Sequence, residues 1–152
     1  MTYKQRQKLM EKLLKQNQNL RLTNSGQLRK CWIEEIGGEQ MQVYCNGAFV
    51  IALNTENQVE VPTETENIGF KVGKFFDDKK DYTLNKVDFD LEEIKQHKDN
   101  FDIGNSRYNA KYFVSCAEML GKDTVFYQNE EITRPSYFEG GAGIGLILPC
   151  RK

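Results

Sequence analysis

The two ends of this chain show the same order of predicted elements, an amphipathic helix followed by three short strands. At the amino end, residues 3–17 predict the helix and residues 27–53 predict the strands. At the carboxyl end, residues 107–120 predict the helix and residues 124–149 predict the strands. An amphipathic helix and an antiparallel meander each need a partner that covers the apolar face. We therefore expect an α+β fold with two helix-plus-antiparallel-meander halves.

The first helix separates its apolar side chains from its lysines. On a helical wheel at ~100° per residue, the two sets fall on opposite sides. The apolar set is Tyr3, Leu9, Met10, Leu13 and Leu14, and the opposite sector holds Lys4, Lys8, Lys12 and Lys15. A lysine stripe is often only a solvated surface, but it can also present a row of ammonium groups to phosphates. The helix alone leaves both interpretations open.

Turn residues divide the segment after this helix into three strands. Residues 27–36 alternate as a strand does, and Gly37-Gly38 predicts the turn that follows it. The side chains predicted to point inward are Leu28, Cys31, Ile33 and Ile36. Asn46-Gly47 is the strongest hairpin signal in the chain, and it separates predicted strands at residues 40–45 and 48–53.

The middle of the chain, around residues 54–98, is polar and predicts a loop or an insertion. Residues 54–67 are rich in Glu, Thr and Asn, which favours a solvated or poorly ordered segment. Residues 70–76 are compatible with a short strand, and residues 77–81 with a turn. Asp90 followed by Glu93 resembles a capping box, which predicts a short helix over residues 91–98.

The second half begins with a strand predicted at residues 101–103 and a helix N-cap at Asn105 or Ser106. Gly121 is expected to end the helix. Its apolar stripe is Tyr108, Tyr112, Phe113, Cys116, Met119 and Leu120. The three strands that follow are predicted at residues 124–128, 132–138 and 144–149.

Composition limits the classes of function. A length of 152 residues suits one domain, with the polar segment around residues 54–98 as an insertion. The net charge of −1 argues against a protein wrapped on all sides in nucleic acid, but it allows one basic face. No segment approaches the ~20 apolar residues that span a bilayer, and the amino end lacks a signal peptide. We therefore expect a cytoplasmic protein without membrane contact.

The sequence shows no concentrated catalytic constellation. His97 is the lone histidine and lies on a charged segment, which is typical of a surface residue. The acidic residues between 77 and 93 match no calcium loop. The glycine-rich run 140–145 lacks the Lys-Ser/Thr and the helix of a phosphate loop, so it predicts a flexible hairpin. The widely spaced Cys31, Cys45, Cys116 and Cys150 are expected to be reduced structural thiols. We therefore predict a protein that is not an enzyme and that uses no metal or cofactor.

Short motifs in a fixed order over residues 103–151 carry a family resemblance. They are Ile103, Asn109-Ala-Lys-Tyr112-Phe, Leu120-Gly, Val125, Arg134-Pro135 and Leu146-Ile-Leu-Pro-Cys-Arg151. In this order and spacing they resemble the end of the last domain of the bacterial DNA polymerase III β subunit, the sliding clamp. The resemblance covers about the last third of the chain and implies a single clamp-like domain over residues 1–152.

Clamp domains contain two copies of a helix-plus-meander unit, and both helices line the surface that faces DNA. The resemblance therefore implies that Lys4, Lys8, Lys12 and Lys15 face the duplex and contact its phosphates without reading sequence. Arg107 and Lys111, both expected on the second helix, would add to this surface.

The last domain of a clamp also supplies one wall of an apolar groove for short motifs of replication proteins. The matching positions here are Asn109, Tyr112, Thr133, Leu146, Leu148, Pro149, Cys150 and Arg151. The plainer interpretation is that Tyr112, Leu146 and Leu148 belong to the core. The other wall of the groove belongs to a preceding domain of the clamp, for which this chain has no length.

Two functions of different classes remain open from the sequence. The first is a non-catalytic sliding-clamp-like protein associated with DNA replication, which binds duplex DNA, clamp-client peptides of replication proteins, or both. A clamp subunit has three such domains and this chain has length for one, so a ring would require a head-to-tail homo-oligomer. The second is a small cytosolic interaction or regulatory module, encoded by a mobile element, whose clamp-like fold makes no DNA contact.

Overall fold

Short helices and strands follow one another along the chain in the computed structural model, which describes residues 1–16, 31–66 and 70–150. The helices are α1 (Tyr3–Gln16), α2 (Gly73–Asp77), α3 (Leu91–Ile94) and α4 (Ala110–Leu120). The strands are β1 (Cys31–Ile36), β2 (Glu39–Cys45), β3 (Phe49–Leu53), β4 (Leu84–Val87), β5 (Asn100–Ile103), β6 (Ser106–Asn109), β7 (Val125–Asn129), β8 (Ser136–Gly140) and β9 (Gly143–Ile147). Single 3-10 turns occur at Thr55–Asn57 and Asp78–Asp81.

The two predicted meanders join into one sheet. The seven-stranded sheet has the order β1-β2-β3-β9-β8-β7-β4, and all its pairs are antiparallel. The last strand of the first meander, β3, pairs with the last strand of the second, β9, from Phe49 opposite Ile147 to Leu53 opposite Gly143. The prediction of a single small α+β domain with two helix-plus-meander halves is confirmed. The hairpin of β5 and β6 forms a separate two-stranded sheet.

One face of the sheet packs against α1 and α4. Phe49, Ile51 and Leu53 of β3 join Phe113 of α4 in this core. The ring of Phe113 lies 4.8 Å from that of Phe126 and 4.9 Å from that of Phe138, both edge to face. Each such buried ring stabilises the fold by about 2 kcal/mol from the area it removes from water. The helix side of the sheet therefore carries the aromatic core.

The other face of the sheet is also covered near its centre. Trp32, Val43, Val50, Tyr137 and Leu146 form a second core together with Val72 and Phe76 from the segment that contains α2. The adjacent phenylalanines of the polar middle segment therefore differ, since Phe76 is buried and Phe75 stays 40% exposed. Residues 70–76, predicted as a strand, include the start of α2 instead.

A buried carboxylate connects this covering segment to the sheet. Glu34 of β1 accepts hydrogen bonds from Trp32 Nε1 at 2.9 Å, from the backbone N–H of Val72 at 3.1 Å and from that of Gly73 at 2.6 Å. On the face of β1 that the α2 segment covers, Trp32, Glu34 and Ile36 are therefore buried, whereas the predicted Ile33 is only half-buried. Cys31 is buried as predicted, and Leu28 lies outside the described residues. The prediction is thus confirmed for Cys31 and Ile36, but it missed Trp32 and Glu34, which are buried as well.

Other boundaries differ from the predictions for local reasons. The helix N-cap is Asn109, whose side chain accepts from Tyr112 N, and not Asn105 or Ser106. Residues 106–109 form β6 because they pair with β5, and this places Tyr108 on a strand. Residues 132–135 form a loop, and the helix begun by Asp90 ends at Ile94. The turns at Gly37-Gly38 and Asn46-Gly47 and the helix end at Gly121 agree with the predictions.

None of the helices in the described ranges combines the length and the apolar character that crossing a bilayer requires.

Replacing Glu34 by alanine tests the connection between the sheet and the α2 segment. The change removes the buried acceptor of three hydrogen bonds, which are donated by Trp32, Val72 and Gly73. Because buried donors without an acceptor are costly, the free energy of unfolding should fall by about 2–4 kcal/mol. Urea denaturation of Glu34→Ala measures this loss. The matched control is Glu35→Ala, since Glu35 is exposed on the same strand and should cost no more than about 0.5 kcal/mol. Equal losses for the two variants would contradict the role of Glu34.

Candidate nucleic-acid interface

The predicted lysine stripe of α1 lies on the outer surface of the helix. Met10 and Leu13 are buried and Leu9 and Leu14 are half-buried, so the apolar side of the helix faces the core as the wheel predicts. Tyr3 is the exception, because it remains 47% exposed. The four lysines, Lys4, Lys8, Lys12 and Lys15, are all exposed. None of them forms an ion pair with a carboxylate of the described residues.

An acidic side chain interrupts the stripe. Glu11 is exposed and lies one turn from both Lys8 and Lys15. Its carboxylate accepts a hydrogen bond from Gln7 Nε2 at 3.3 Å. Glu11 therefore lowers the positive potential of this surface without pairing with a lysine.

A buried arginine fixes α1 against α4. Arg6 is 7% exposed, and its Nε donates to the carbonyl oxygen of Met119 at 3.0 Å while Nη1 donates to Asn57 Oδ1 at 3.5 Å. Burial lowers the pKa of Arg6. The guanidinium sits at the carboxyl end of α4, where the helix dipole favours a cation. The wheel places Arg6 in the apolar sector of α1, a signal that could have identified it as buried.

A cleft of about 320 Å³ separates the two helices. Lys12 of α1 and Lys111 of α4, which were predicted to bind DNA, both line this cleft. Lys111 is exposed and, like Lys12, has no carboxylate partner within the described part of the chain. Lys95, by contrast, pairs with Glu92 at 3.2 Å and Glu118 at 3.4 Å. The structure therefore brings free cations from both halves to one surface.

Arg107 does not belong to that surface. It was predicted on the second helix, but it lies on β6. Its guanidinium is paired with Asp102, with Nε to Oδ1 at 2.8 Å and Nη2 to Oδ2 at 3.3 Å. The hydrogen bonds that Arg107 donates to the carboxylate of Asp102 raise the pKa of Arg107. The neighbouring carboxylate thus already neutralises this cation.

The residues predicted to form a peptide groove are divided between the two faces of the sheet. Tyr112 is half-buried on the helix face, where its ring lies 5.0 Å from that of Phe49. Leu146 is buried in the core of the opposite face. Leu146 and Tyr112 therefore lie on opposite sides of the sheet and cannot share one groove. Asn109 caps α4 with its side chain and so has a structural role.

Residues 148–150, which follow β9, are held by two backbone hydrogen bonds. Leu148 N donates to the Ala48 carbonyl at 2.9 Å, and Cys150 N donates to the Arg107 carbonyl at 2.7 Å. Between them, Leu148 is 41% exposed and Pro149 is half-buried. Thr133 is exposed in the loop between β7 and β8. Arg151, also predicted here, lies outside the described residues.

The parts of the chain that the structure describes offer few other groups for metal binding or catalysis. Within them, no group of three or more His, Cys, Asp and Glu side chains could hold a metal ion. His97 is exposed, stacks near Phe101 at 5.8 Å between ring centroids, and lines the cleft between α1 and α4. The sequence did not identify this residue as part of the cleft.

The four thiols differ enough in burial for a simple test. Burial raises the pKa of Cys31 and of Cys45 to about 11, and it also raises that of the fully buried Cys116. A thiol with a pKa near 11 is ionised in only about one molecule in a thousand at pH 8. Since the thiolate is the reactive form, such a thiol reacts slowly. Cys150 is half-exposed. Ellman's reagent should therefore react quickly with Cys150 alone, and Cys150→Ser should remove the fast phase. A fast phase that survives this change would show that another thiol is accessible.

No protein-family model, curated protein or solved structure matches this chain. The likeness to sliding clamps therefore rests on the short motifs of residues 103–151 alone.

Proposed function

We propose that this protein binds duplex DNA without sequence specificity through the face formed by α1 and α4, and that it performs no catalysis. The observation that carries the proposal is the set of exposed lysines on two adjacent helices without carboxylate partners among the described residues. This set comprises Lys4, Lys8, Lys12, Lys15 and Lys111.

The length of the stripe suits a polyphosphate. From Lys4 to Lys15 the helix rises by about 16 Å at ~1.5 Å per residue. Duplex DNA carries one charge per ~1.7 Å of its axis, so a surface of this length lies opposite several phosphates. Lysines contact phosphates as point charges and do not read base edges. Binding through this face should therefore be independent of sequence and strongly dependent on salt.

We propose that this DNA binding serves DNA replication, because residues 103–151 resemble the last domain of sliding clamps. This proposal is supported by the arrangement of the two halves, because α1 and α4 pack on the same face of the sheet and contribute cations to one cleft. The competing proposal is an interaction module that makes no DNA contact. The salt dependence of DNA binding distinguishes the two.

Fluorescence anisotropy with a labelled duplex tests the proposal. If four or five lysines displace counterions, log K should fall against log salt with a slope of about −4. Replacing Lys4, Lys8, Lys12 and Lys15 together by glutamine should bring that slope close to −1 and weaken binding at least ~100-fold at low salt. Circular dichroism of the variant checks that these exposed changes leave the fold intact.

Two controls make the test specific to this face. Changing Lys71, Lys74, Lys80 and Lys86 to glutamine removes the same charge from exposed sites outside α1 and α4 and should leave the slope unchanged. Glu11→Gln should tighten binding a few-fold, because it removes the anion within the stripe. Equal effects of the two lysine sets, or DNA binding that is absent or insensitive to salt, would contradict the proposal and favour the interaction module.

A further inference from the structure

The cleft between α1 and α4 has an apolar floor that phosphate binding does not explain. Leu13, Ile94 and Ala110 are buried at its base, and Leu9 and Val114 are half-buried along its sides. A DNA duplex meets a protein chiefly through its charged phosphates, and its apolar groups, such as the thymine methyls, lie inside the grooves. The floor therefore suits a ligand that carries apolar side chains.

The two helices present matching stripes to the cleft. From α1 these are residues 9, 12, 13 and 16, and from α4 they are residues 111, 114, 115 and 118. Both sets follow the i, i+3, i+4, i+7 spacing of a single helix face. The groove is therefore about two helical turns long, or roughly 10 Å. These dimensions suit one or two turns of an amphipathic helix laid between α1 and α4.

The charges at the rim of the cleft indicate which kind of ligand helix would bind there. Lys12 stands on one side and Lys111 on the other, both without a carboxylate partner in the described ranges. The one carboxylate of the lining, Glu118, is occupied by Lys95. A ligand whose apolar side chains enter the floor thus meets a cation on either side, and carboxylates in its flanks would complement both.

We infer that this cleft binds an acidic amphipathic peptide segment of a partner protein. The apolar side chains of the segment contact Leu9, Leu13 and Val114, and its Asp or Glu side chains pair with Lys12 and Lys111. The inference goes beyond DNA binding and does not require it. Because Lys12 belongs to both surfaces, a bound segment of this kind would compete with DNA at that end of the stripe.

The test uses a fluorescein-labelled synthetic helix with leucines at i, i+3, i+4 and i+7 and glutamates at the flanking positions. Anisotropy should show saturable binding, and ¹⁵N chemical shifts should move chiefly in residues 9–16 and 110–118, which line the cleft. Ser115→Leu fills the cleft from a half-buried position and should weaken peptide binding at least ~10-fold while leaving DNA binding unchanged. Lys12→Glu with Lys111→Glu should weaken the binding of both ligands.

Matched variants separate this inference from the proposed function. Lys4→Glu with Lys8→Glu should weaken DNA binding and leave peptide binding within about two-fold, because neither lysine lines the cleft. If the protein binds the peptide but not DNA, only the proposed function is contradicted. If it binds DNA but not the peptide, only this inference is contradicted.

Three outcomes would overturn the inference. The first is equal binding of a peptide with lysines in place of the glutamates. The second is equal binding of a peptide with alanines in place of the leucines. The third is loss of binding on Leu148→Asp but not on Ser115→Leu, which would place the peptide on the exposed tail.

Discussion

The pairing of β3 with β9 is the constraint on which the rest of the structure depends. It joins the two meanders, and all five residues of β3 are buried because both faces of the sheet are covered there. The close approach requires glycine in β9. Gly143 has φ +153°, and a Cβ at this position would collide with the carbonyl of Ala52. Gly145 would bring a Cβ to 3.0 Å from the carbonyl of Val50. Glycine at positions 143 and 145 thus leaves room for the backbone of β3.

This central pairing also determines where the two helices lie. Phe49 of β3 packs against Tyr112 of α4, and Tyr44 on the neighbouring β2 donates from its hydroxyl to the carbonyl of Leu13 in α1 at 3.2 Å. The bond from Arg6 to Met119 then connects the helices directly. Because α1 and α4 are held by the same strands and by each other, the lysines of the two halves and the cleft between them form one continuous surface.

The sequence predicted the parts of this surface that depend on local patterns. The period of α1 was enough to place Met10 and Leu13 inside and the lysines outside, and turn residues located the meanders. The errors arose where a distant contact decided the outcome. Glu34 is buried because Val72 and Gly73 donate to it, and Arg107 lies on β6 because residues 100–103 pair with that strand. By contrast, the glycine-rich run 140–145 forms a hairpin as predicted, with its turn between β8 and β9, and Gly143 and Gly145 belong to β9, which β3 approaches closely. The cleft could not be predicted, since its walls are about one hundred residues apart in the chain.

The distribution of charge explains how a chain with a net charge of −1 can approach a polyanion. The lysines of α1 and α4 that have no carboxylate partner among the described residues lie on the helix face. The segment that contains α2 covers the opposite face of the sheet and carries both signs of charge, since Asp77, Asp78 and Asp81 stand beside Lys74, Lys79 and Lys80. A polyanion is therefore attracted to the helix face, where cations outnumber carboxylates on α1 and α4, and meets charges of both signs on the far side. Salt screens this attraction over ~10 Å at 0.1 M, which is comparable to the width of the helix pair. The orientation of the encounter, and not only its affinity, should therefore depend on ionic strength.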